Sequence, residues 1–508
     1  MNYLYFSPFA TDCINASVLL ENAFEVVNTE FDAKIYFVYF DYSNVEICDF
    51  NNEKSTVRSY EIGFDNKLIL NKYKHKNIIP IPFSSIRKTP EEFSPFFKTL
   101  ADVKKVEYNG VNIGFGVVSN FVSFTRNINP LMDDVVRNYF SSYLSSCAII
   151  VETLDVFIVK NNIKHIKTHN GRFATLRPAV ELSKKHKIDF TATEMLPFDD
   201  PSDMKYYEYK NAMPHSINYR TNLINDLWSL EDEKNKLKYS DFYEKRVKGV
   251  RAGDKVYTRL QNPNELPADW DENKKNYVYF TSSEDEFYAI GEDWDNLRIF
   301  PDQEVAAETV AQICTKDPSI HVYIRIHPNL IGLTYAYAKF ERLKKYSNVT
   351  IIPAESTISS YRLLLACDKC LTMGSSVGIE ATYWNKVSIL LNASFYYYLD
   401  VAYIPHDENQ LETFLLDHTL EPKSKDGCFK YAKSIMYREY GKSPKYVNYN
   451  MTPIYFRGRR LDISNSMTIL GSSFLYKISI IIFRLLYIID KCRYMKKVYS
   501  HLIIESVL

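Results

Sequence analysis

The sequence predicts an α/β protein built on mostly parallel sheets covered by helices. Three observations carry this. Short apolar runs alternate with helical patterns through both halves of the chain, the signature of βαβ units. In the second half, five such units fall within about 140 residues, which is the pattern of one doubly wound nucleotide-binding domain. The composition, 46% hydrophobic and 24% charged residues, is that of a folded protein. A length of 508 residues leaves room for two to three domains of ~150–200 residues each.

Taken in order, residues 3–6 are apolar and aromatic and read as a strand, and residues 16–26 read as a helix. Residues 34–42, 112–118 and 164–168 are further strand candidates. Residues 201–276 break the rhythm: they are polar, with a charged helical part at 230–248 and a Pro/Asn/Asp-rich stretch at 262–276. This reads as a connection between domains. The second half then resumes with strands at 277–280, 321–326, 349–352, 369–373 and 387–391. Helices are expected at 303–314, 333–345, 359–366, 377–383 and 409–415.

The tail differs. From residue 457 to 508 it carries nine basic and three acidic residues, net +6, against −6 for the rest. Residues 474–489 are very apolar but are interrupted by Lys477 and Arg484, whereas a spanning helix wants about 20 apolar residues. Lys477, Arg484 and Lys491 are seven apart and share one helix face. A helix lying on an anionic membrane surface is expected. A C-terminal helix packed on the protein core and a true span are the alternatives.

Lys+Arg and Asp+Glu are both 62, so no global basic field points to nucleic acid. The 40 Tyr and 31 Phe suit sugar stacking, but a biased genome gives the same richness. Cys367 and Cys370 form a lone C-x-x-C without a second pair. They are read as structural, at a helix end and on a buried strand, rather than as metal ligands. The N-terminus lacks the basic start and apolar run of a signal peptide. A cytoplasmic location on the inner face of the membrane is expected.

In doubly wound sheets, ligands sit at the carboxyl ends of the strands. Four such places carry chemistry. After strand 321–326, Pro328 stops the strand and presents Arg325 and His327, both able to donate to a phosphate. After strand 369–373, Gly374-Ser375-Ser376-Val377-Gly378-Ile379-Glu380 is a small-residue loop opening a helix, a place that favours an anion. Simple capping by Ser375 or Ser376 is the plain alternative. Glu380 is four residues after Ser376, so the three-residue spacing of a reciprocal capping box is not met. After strand 277–280 come Ser282 and Ser283, able either to line the same site or to sit in a solvated acidic loop. After strand 164–168 come His169, Asn170, Gly171 and Arg172, facing donor or acceptor or making an ordinary strand-to-helix turn.

The segment Arg325-Ile326-His327-Pro328-Asn329, followed by Gly374 through Glu380 and on to Ala381-Thr382-Tyr383-Trp384-Asn385-Lys386, resembles the capsule polysaccharide biosynthesis group of GT-B glycosyltransferases. That group includes Kdo transferases and, more distantly, CDP-glycerol glycerophosphotransferases. The 280–287 stretch and the Asn170-Gly171-Arg172 turn are also similar to motifs of its surface-carbohydrate members. The resemblance is firm over 275–405, loose over 1–230 and absent from the tail. Asn385-Lys386 departs from the Gly-Lys-Pro of many relatives.

The resemblance implies two Rossmann-like domains facing a cleft, followed by an amphipathic helical tail. The expected division is an acceptor domain at 1–230, a linker at 231–275, a nucleotide-donor domain at 276–440 and the basic tail at 441–508. The implied partners are a nucleotide-sugar donor, a glycan or lipid-linked acceptor and the anionic membrane surface. The implied activity is sugar transfer to capsule, lipopolysaccharide or another surface polysaccharide. By the same resemblance His327, Ser375, Ser376 and Glu380 line the donor's nucleotide and phosphates; as carboxylates do in other nucleotide clefts, Glu380 is expected to accept from the ribose hydroxyls. No convincing Asp-x-Asp metal motif stands before a strand end, so transfer without metal or other cofactor is expected. The general base is expected from the first domain, with Asp12 and His169 as candidates. The alternatives are a polyol-phosphate transferase with a CDP-linked donor, a nucleotide-sugar epimerase and a non-catalytic assembly scaffold.

Overall fold

A computed structural model of the chain describes all residues except 9–12, 41–69, 71–72, 197–204, 232, 251, 253–257, 259–260, 333–336, 437–440, 448–453, 457–458 and 462–508. The tail expectation and Asp12 therefore lie outside the described residues. The chain forms two compact units. Unit 1 comprises Met1–Thr125, Asn129–Pro214 and the chain returning after Glu439, and unit 2 comprises His215–Arg438 with Arg126–Ile128.

Unit 1 is built on strands β1 (Asn2–Ser7), β2 (Lys34–Tyr39), β3 (Ile78–Pro82), β4 (His165–His169), β5 (Asp189–Met195) and β6 (Tyr206–Lys210). They pair in the order β3-β2-β1-β4-β5-β6. All pairs are parallel except β5 with β6. The central strand is buried on both faces, with Tyr3, Leu4, Tyr5 and Phe6 at most 2% exposed. That is why it reads as a continuous apolar run instead of alternating. The helix Asp134–Lys160 starts at Asp133, whose carboxylate accepts the Val136 N–H. It is long and apolar enough to cross a membrane, but 56% of its most apolar stretch is buried within the unit, as befits a core helix.

Residues 112–118, expected as a strand, are mostly helix: Gly114–Thr125 is helical and only Val111–Asn112 pairs, with Glu107–Tyr108. The reason is packing. A Cβ on Gly114 would sit 1.8 Å from the carbonyl oxygen of Val103, so the two glycines of Gly114-Phe115-Gly116 serve close approach rather than extension.

The chain from 441 to 447 docks on unit 1. Lys442 exchanges two backbone hydrogen bonds with Tyr206, at 3.0 and 2.7 Å, on the sheet's edge strand. The Glu21 carboxylate, on the helix Cys13–Thr29, accepts the backbone N–H groups of Lys445, Tyr446 and Val447 at 2.6–2.8 Å.

Unit 2 holds β7 (Lys275–Phe280), β8 (Ile320–Arg325), β9 (Val349–Ile352), β10 (Lys369–Thr372) and β11 (Val387–Leu390). They form one fully parallel sheet in the order β9-β8-β7-β10-β11. Successive side chains feed opposite cores. Tyr277, Tyr279, Val322 and Ile324 pack under the helix Gln303–Cys314. Val278, Phe280, Tyr323 and Cys370 pack under the helix Ser360–Ala366. Cys367 ends that helix and, like Cys370, is fully buried, in keeping with the structural reading. The buried Lys369 ammonium is satisfied by three carbonyls, those of Phe414, Leu415 and Asp417 at 2.8–2.9 Å. Residues 333–345, expected as a helix, are described as a 3-10 stretch from Ala338 to Lys345. The chain runs outward from β7 to β9, then crosses back to β10. The switch point therefore lies beside β7, where the ends of β8 and β10 flank it.

Candidate functional site

A pocket opens in unit 2, lined by residues at the ends of β7, β8 and β10 and by Arg246, Thr258, Ser360 and Tyr361. Its position is the one expected of a ligand site in a doubly wound sheet. The pocket brings together Arg325, His327, Ser375, Ser376 and Glu380.

His327 ends β8's run. Its backbone N–H donates to the Thr281 hydroxyl at 2.8 Å, and its Nδ1 accepts the Asn329 N–H at 3.1 Å. Accepting at Nδ1 puts the proton of the neutral ring on Nε2 and makes that nitrogen a donor. Burial, reinforced by the nearby Arg325 charge, pulls the ring down to about 4. His327 is thus a neutral donor at ordinary pH.

Arg325 is only 1% exposed. Its guanidinium donates to the carbonyl of Pro353 and, at 3.2 Å, to that of Ser356, while its Nε has no partner. Burial lowers it to about 10, still fully cationic at neutral pH. The sequence expects this arginine to bind phosphate. In the structure it adds a positive charge to the wall, but its fork is largely committed to the loop after β9.

The loop after β10 turns at Gly374, whose φ of +127° excludes other residues and whose Cβ would meet the Ala393 carbonyl oxygen at 2.8 Å. Three of its amides are satisfied internally. Ser375 N–H donates to the Thr372 hydroxyl at 3.0 Å, Val377 N–H to the Ser375 hydroxyl at 3.4 Å and Gly378 N–H to the Ser375 carbonyl at 3.1 Å. Much of the backbone-amide cradle expected for an anion is therefore taken up by the turn itself.

Glu380, in the helix Val377–Tyr383, is 1% exposed. Its Oε1 accepts from the Ser376 hydroxyl at 3.1 Å and from Arg246, with Nε at 3.1 Å and Nη2 at 3.0 Å. Its Oε2 accepts from the Tyr361 hydroxyl at 2.7 Å. Arg246 also donates to the Ser376 hydroxyl at 3.2 Å. Arg246 and Tyr361 are the residues that sequence reasoning missed. Arg246 comes from the helix Ser240–Val247, inside the stretch that reads as a connection.

Other candidates stand elsewhere. Thr281 lines the pocket, while Ser282 and Ser283 are buried beside it. Gln303 clamps the Ser282 backbone at 2.9 and 3.3 Å, and the Ser283 hydroxyl accepts from Asn329 at 2.8 Å. In unit 1, His169 closes β4 with Nε2 3.6 Å from Glu194. Asn170 and Gly171 both turn left-handed, at φ +52° and +84°. Asn170 donates to Glu194 at 2.6 Å, and Arg172 donates to the Ser119 and Ser123 hydroxyls at 2.6 and 2.9 Å. Among the described residues, no group of three or more His, Cys, Asp or Glu could hold a metal.

No protein-family model and no curated protein matches the chain. Solved structures similar to it include the beta Kdo 2,4 transferase KpsC of Thermosulfurimonas dismutans, at 14% identity and TM-score 0.33, covering 54% of this chain and 87% of that one. The UDP-GlcNAc 2-epimerase of Neisseria meningitidis bound to UDP-GlcNAc is similar at 10% identity and TM-score 0.25, covering 93% and 99%. MnaA of S. aureus with UDP is similar at 10% identity and TM-score 0.27, covering 87% and 93%. Likeness at that level says nothing about substrate.

Proposed function

We propose that this protein is a glycosyltransferase of the GT-B type, moving a sugar from a nucleotide-activated donor to a surface polysaccharide such as capsule. The observation that carries the reading is the unit 2 pocket. It sits at the switch point of a parallel sheet and combines two guanidiniums, one carboxylate, a neutral imidazole with its donor at Nε2, and hydroxyls. The charged groups sum to about one positive charge, which favours an anion such as a donor phosphate.

The chemistry follows from what the groups can do. As the glycosidic bond to phosphate breaks, negative charge grows on the leaving phosphate. A neutral Nε2–H donates to that oxygen without first shedding a proton, and cations fixed in the pocket wall stabilise the charge with little reorganisation. The acceptor hydroxyl attacks the sugar carbon and loses its proton to a base.

The test is a thermal-shift screen of the full chain with UDP-, GDP-, CDP-, CMP- and dTDP-linked donors, followed by transfer assays with the donor that binds. Ligand at about one hundred times its dissociation constant adds about 2.7 kcal/mol. Stabilisation by a nucleotide sugar with no transfer supports a binding scaffold instead. Stabilisation by CDP-glycerol but by no sugar donor supports polyol-phosphate transfer. Stabilisation by none of them ends the proposal.

We further propose that the protein works on the cytoplasmic membrane face, held by the basic, apolar tail. Each Lys or Arg near an anionic leaflet adds about 1 kcal/mol. Deleting residues 465–508 should move the protein from the membrane to the soluble fraction. Unchanged fractionation, or resistance of the full chain to alkaline carbonate, rules this out.

A further inference from the structure

The Glu380 carboxylate is already well supplied with donors. Its Oε1 takes Arg246 and Ser376, and its Oε2 takes Tyr361. A carboxylate offers about four lone-pair sites, so the two hydroxyls of a ribose can bind it only by displacing protein groups. Arg246 is meanwhile held on several sides. Its guanidinium packs over the Phe242 ring at 5.4 Å and is fixed by Glu380 and Ser376.

The helices that carry the pair are locked in register. Tyr243 stacks on Tyr383 with ring centroids 4.1 Å apart, and the Tyr243 hydroxyl donates to the Cys428 carbonyl at 2.7 Å. Arg246 lies three residues after Tyr243, and Glu380 three before Tyr383. The aromatic pair and the ion pair therefore occupy adjacent turns of two helices running in opposite senses. This arrangement orients a cation in advance, so little side-chain freedom remains to be lost when an anion arrives.

Arg325, the other guanidinium, gives both its Nη groups to backbone carbonyls and keeps only Nε uncommitted. We propose that Arg246 is the group that receives the diphosphate of the nucleotide ligand. Glu380 is then the positioning residue that holds Arg246, and not the acceptor of the ribose hydroxyls. This inference rests on the nucleotide reading of the pocket.

The experiment is calorimetric titration of the full chain with uridine, cytidine and guanosine, each as nucleoside, 5′-monophosphate and 5′-diphosphate, and with inorganic pyrophosphate. Wild type should favour the diphosphate of one base over its nucleoside by about a hundredfold or more. Arg246→Ala should lose about 10- to 100-fold in diphosphate affinity, the range of a charge-assisted hydrogen bond, and leave the nucleoside unchanged. Glu380→Gln, which keeps the shape but not the charge, should lose diphosphate affinity in the same direction by a smaller factor and also spare the nucleoside. If Arg246→Ala does not fold, Arg246→Lys carries the same test, since it keeps charge without the fork.

Equal weakening of nucleoside and diphosphate by Arg246→Ala overturns the inference. So does tighter nucleoside binding, which means that Arg246 occupies the ribose's place on Glu380. A Glu380→Gln variant that weakens the nucleoside restores Glu380 to the ribose. If wild type binds pyrophosphate through Arg246 but discriminates no nucleoside, the nucleotide reading falls while the anion site stands. If wild type binds none of the probes, both fall.

Discussion

Glu284 should make unit 2 less stable as pH rises through neutrality, and Glu284→Gln should remove that effect. The residue sits in the loop after β7 and is 8% exposed. One oxygen accepts the Gln303 N–H at a long 3.3 Å, and the other has no hydrogen-bond partner. Arg298 comes no nearer than 3.8 Å. Burial outweighs the attraction of Arg298 and pushes the carboxyl up to about 7 from 4.5. A raised folded-state value means that the unfolded chain releases this proton first. The contribution to stability is complete below about pH 4.5 and is lost as pH rises to about 7. A shift of 2.5 units at 1.36 kcal/mol each is about 3 kcal/mol, an upper bound because buried sites relax. For a unit of roughly 220 residues this is on the order of 5–10 °C in melting temperature. The assay is melting of wild type and Glu284→Gln from pH 5 to 8. The depressed histidines at 165 and 327, both near 4, push the other way but act in both proteins and cancel. The variant should gain on wild type from pH 5 to about 7 and level off above that. Parallel curves would show that Glu284 is ionised throughout, and the argument from burial would be wrong.

Other outcomes follow from single contacts. His327→Ala should cost ~10²–10³ in turnover and little in melting temperature, and the wild-type rate should show no histidine ionisation between about pH 5.5 and 8, since the ring is held near 4; a variant with wild-type turnover refutes the donor role. Gly374→Ala should destabilise by about 1–3 kcal/mol, because a Cβ there meets the Ala393 oxygen at 2.8 Å and φ is +127°; a melt superimposable on wild type counts against it. Glu21→Ala leaves the amides of Lys445, Tyr446 and Val447 without their acceptor, at about 1–3 kcal/mol, and should speed proteolytic cutting near 441–447. Unchanged cutting would mean that the Lys442 backbone pairing with Tyr206 and the packing of Val447 hold the segment without Glu21.

The unit 2 sheet is legible in the sequence because its strands are buried on both faces. Runs such as Tyr277 to Phe280 leave no other way to hide so many aromatic and branched side chains, and the five strands lie within two residues of expectation at each end. Unit 1 is less legible at its edges. Strand β3 contains Pro80 and Pro82, which removes ladder donors and belongs on an edge. Strand β6 is half-buried and antiparallel, so it has no long apolar run. The 112–118 error has a different cause: branched and aromatic residues imitate a strand, while the glycines that favour the helix do so through contacts with Val103 and Ala174 that are distant in sequence.

The pocket residues after the strands were legible because sheet topology fixes where ligand-facing loops lie. Arg246 was not, because it arrives from a polar helix outside any βα unit, yet a physical signal for it existed. Positions 378 to 383 are all buried, so an ionised Glu380 there demands a cation and further donors. The fully legible neighbours offer none: Ser376 is a single hydroxyl, and Arg325 sits on another strand, bound to carbonyls. The missing cation had to come from elsewhere in the unit. The Phe242-Tyr243 pair three and four residues before Arg246 marks a helix with one apolar face and an arginine continuing it. The same three-residue spacing separates Glu380 from Tyr383 on the helix that Arg246 and Tyr243 meet. The buried carboxylate is thus informative less for what it binds than for the arginine it requires.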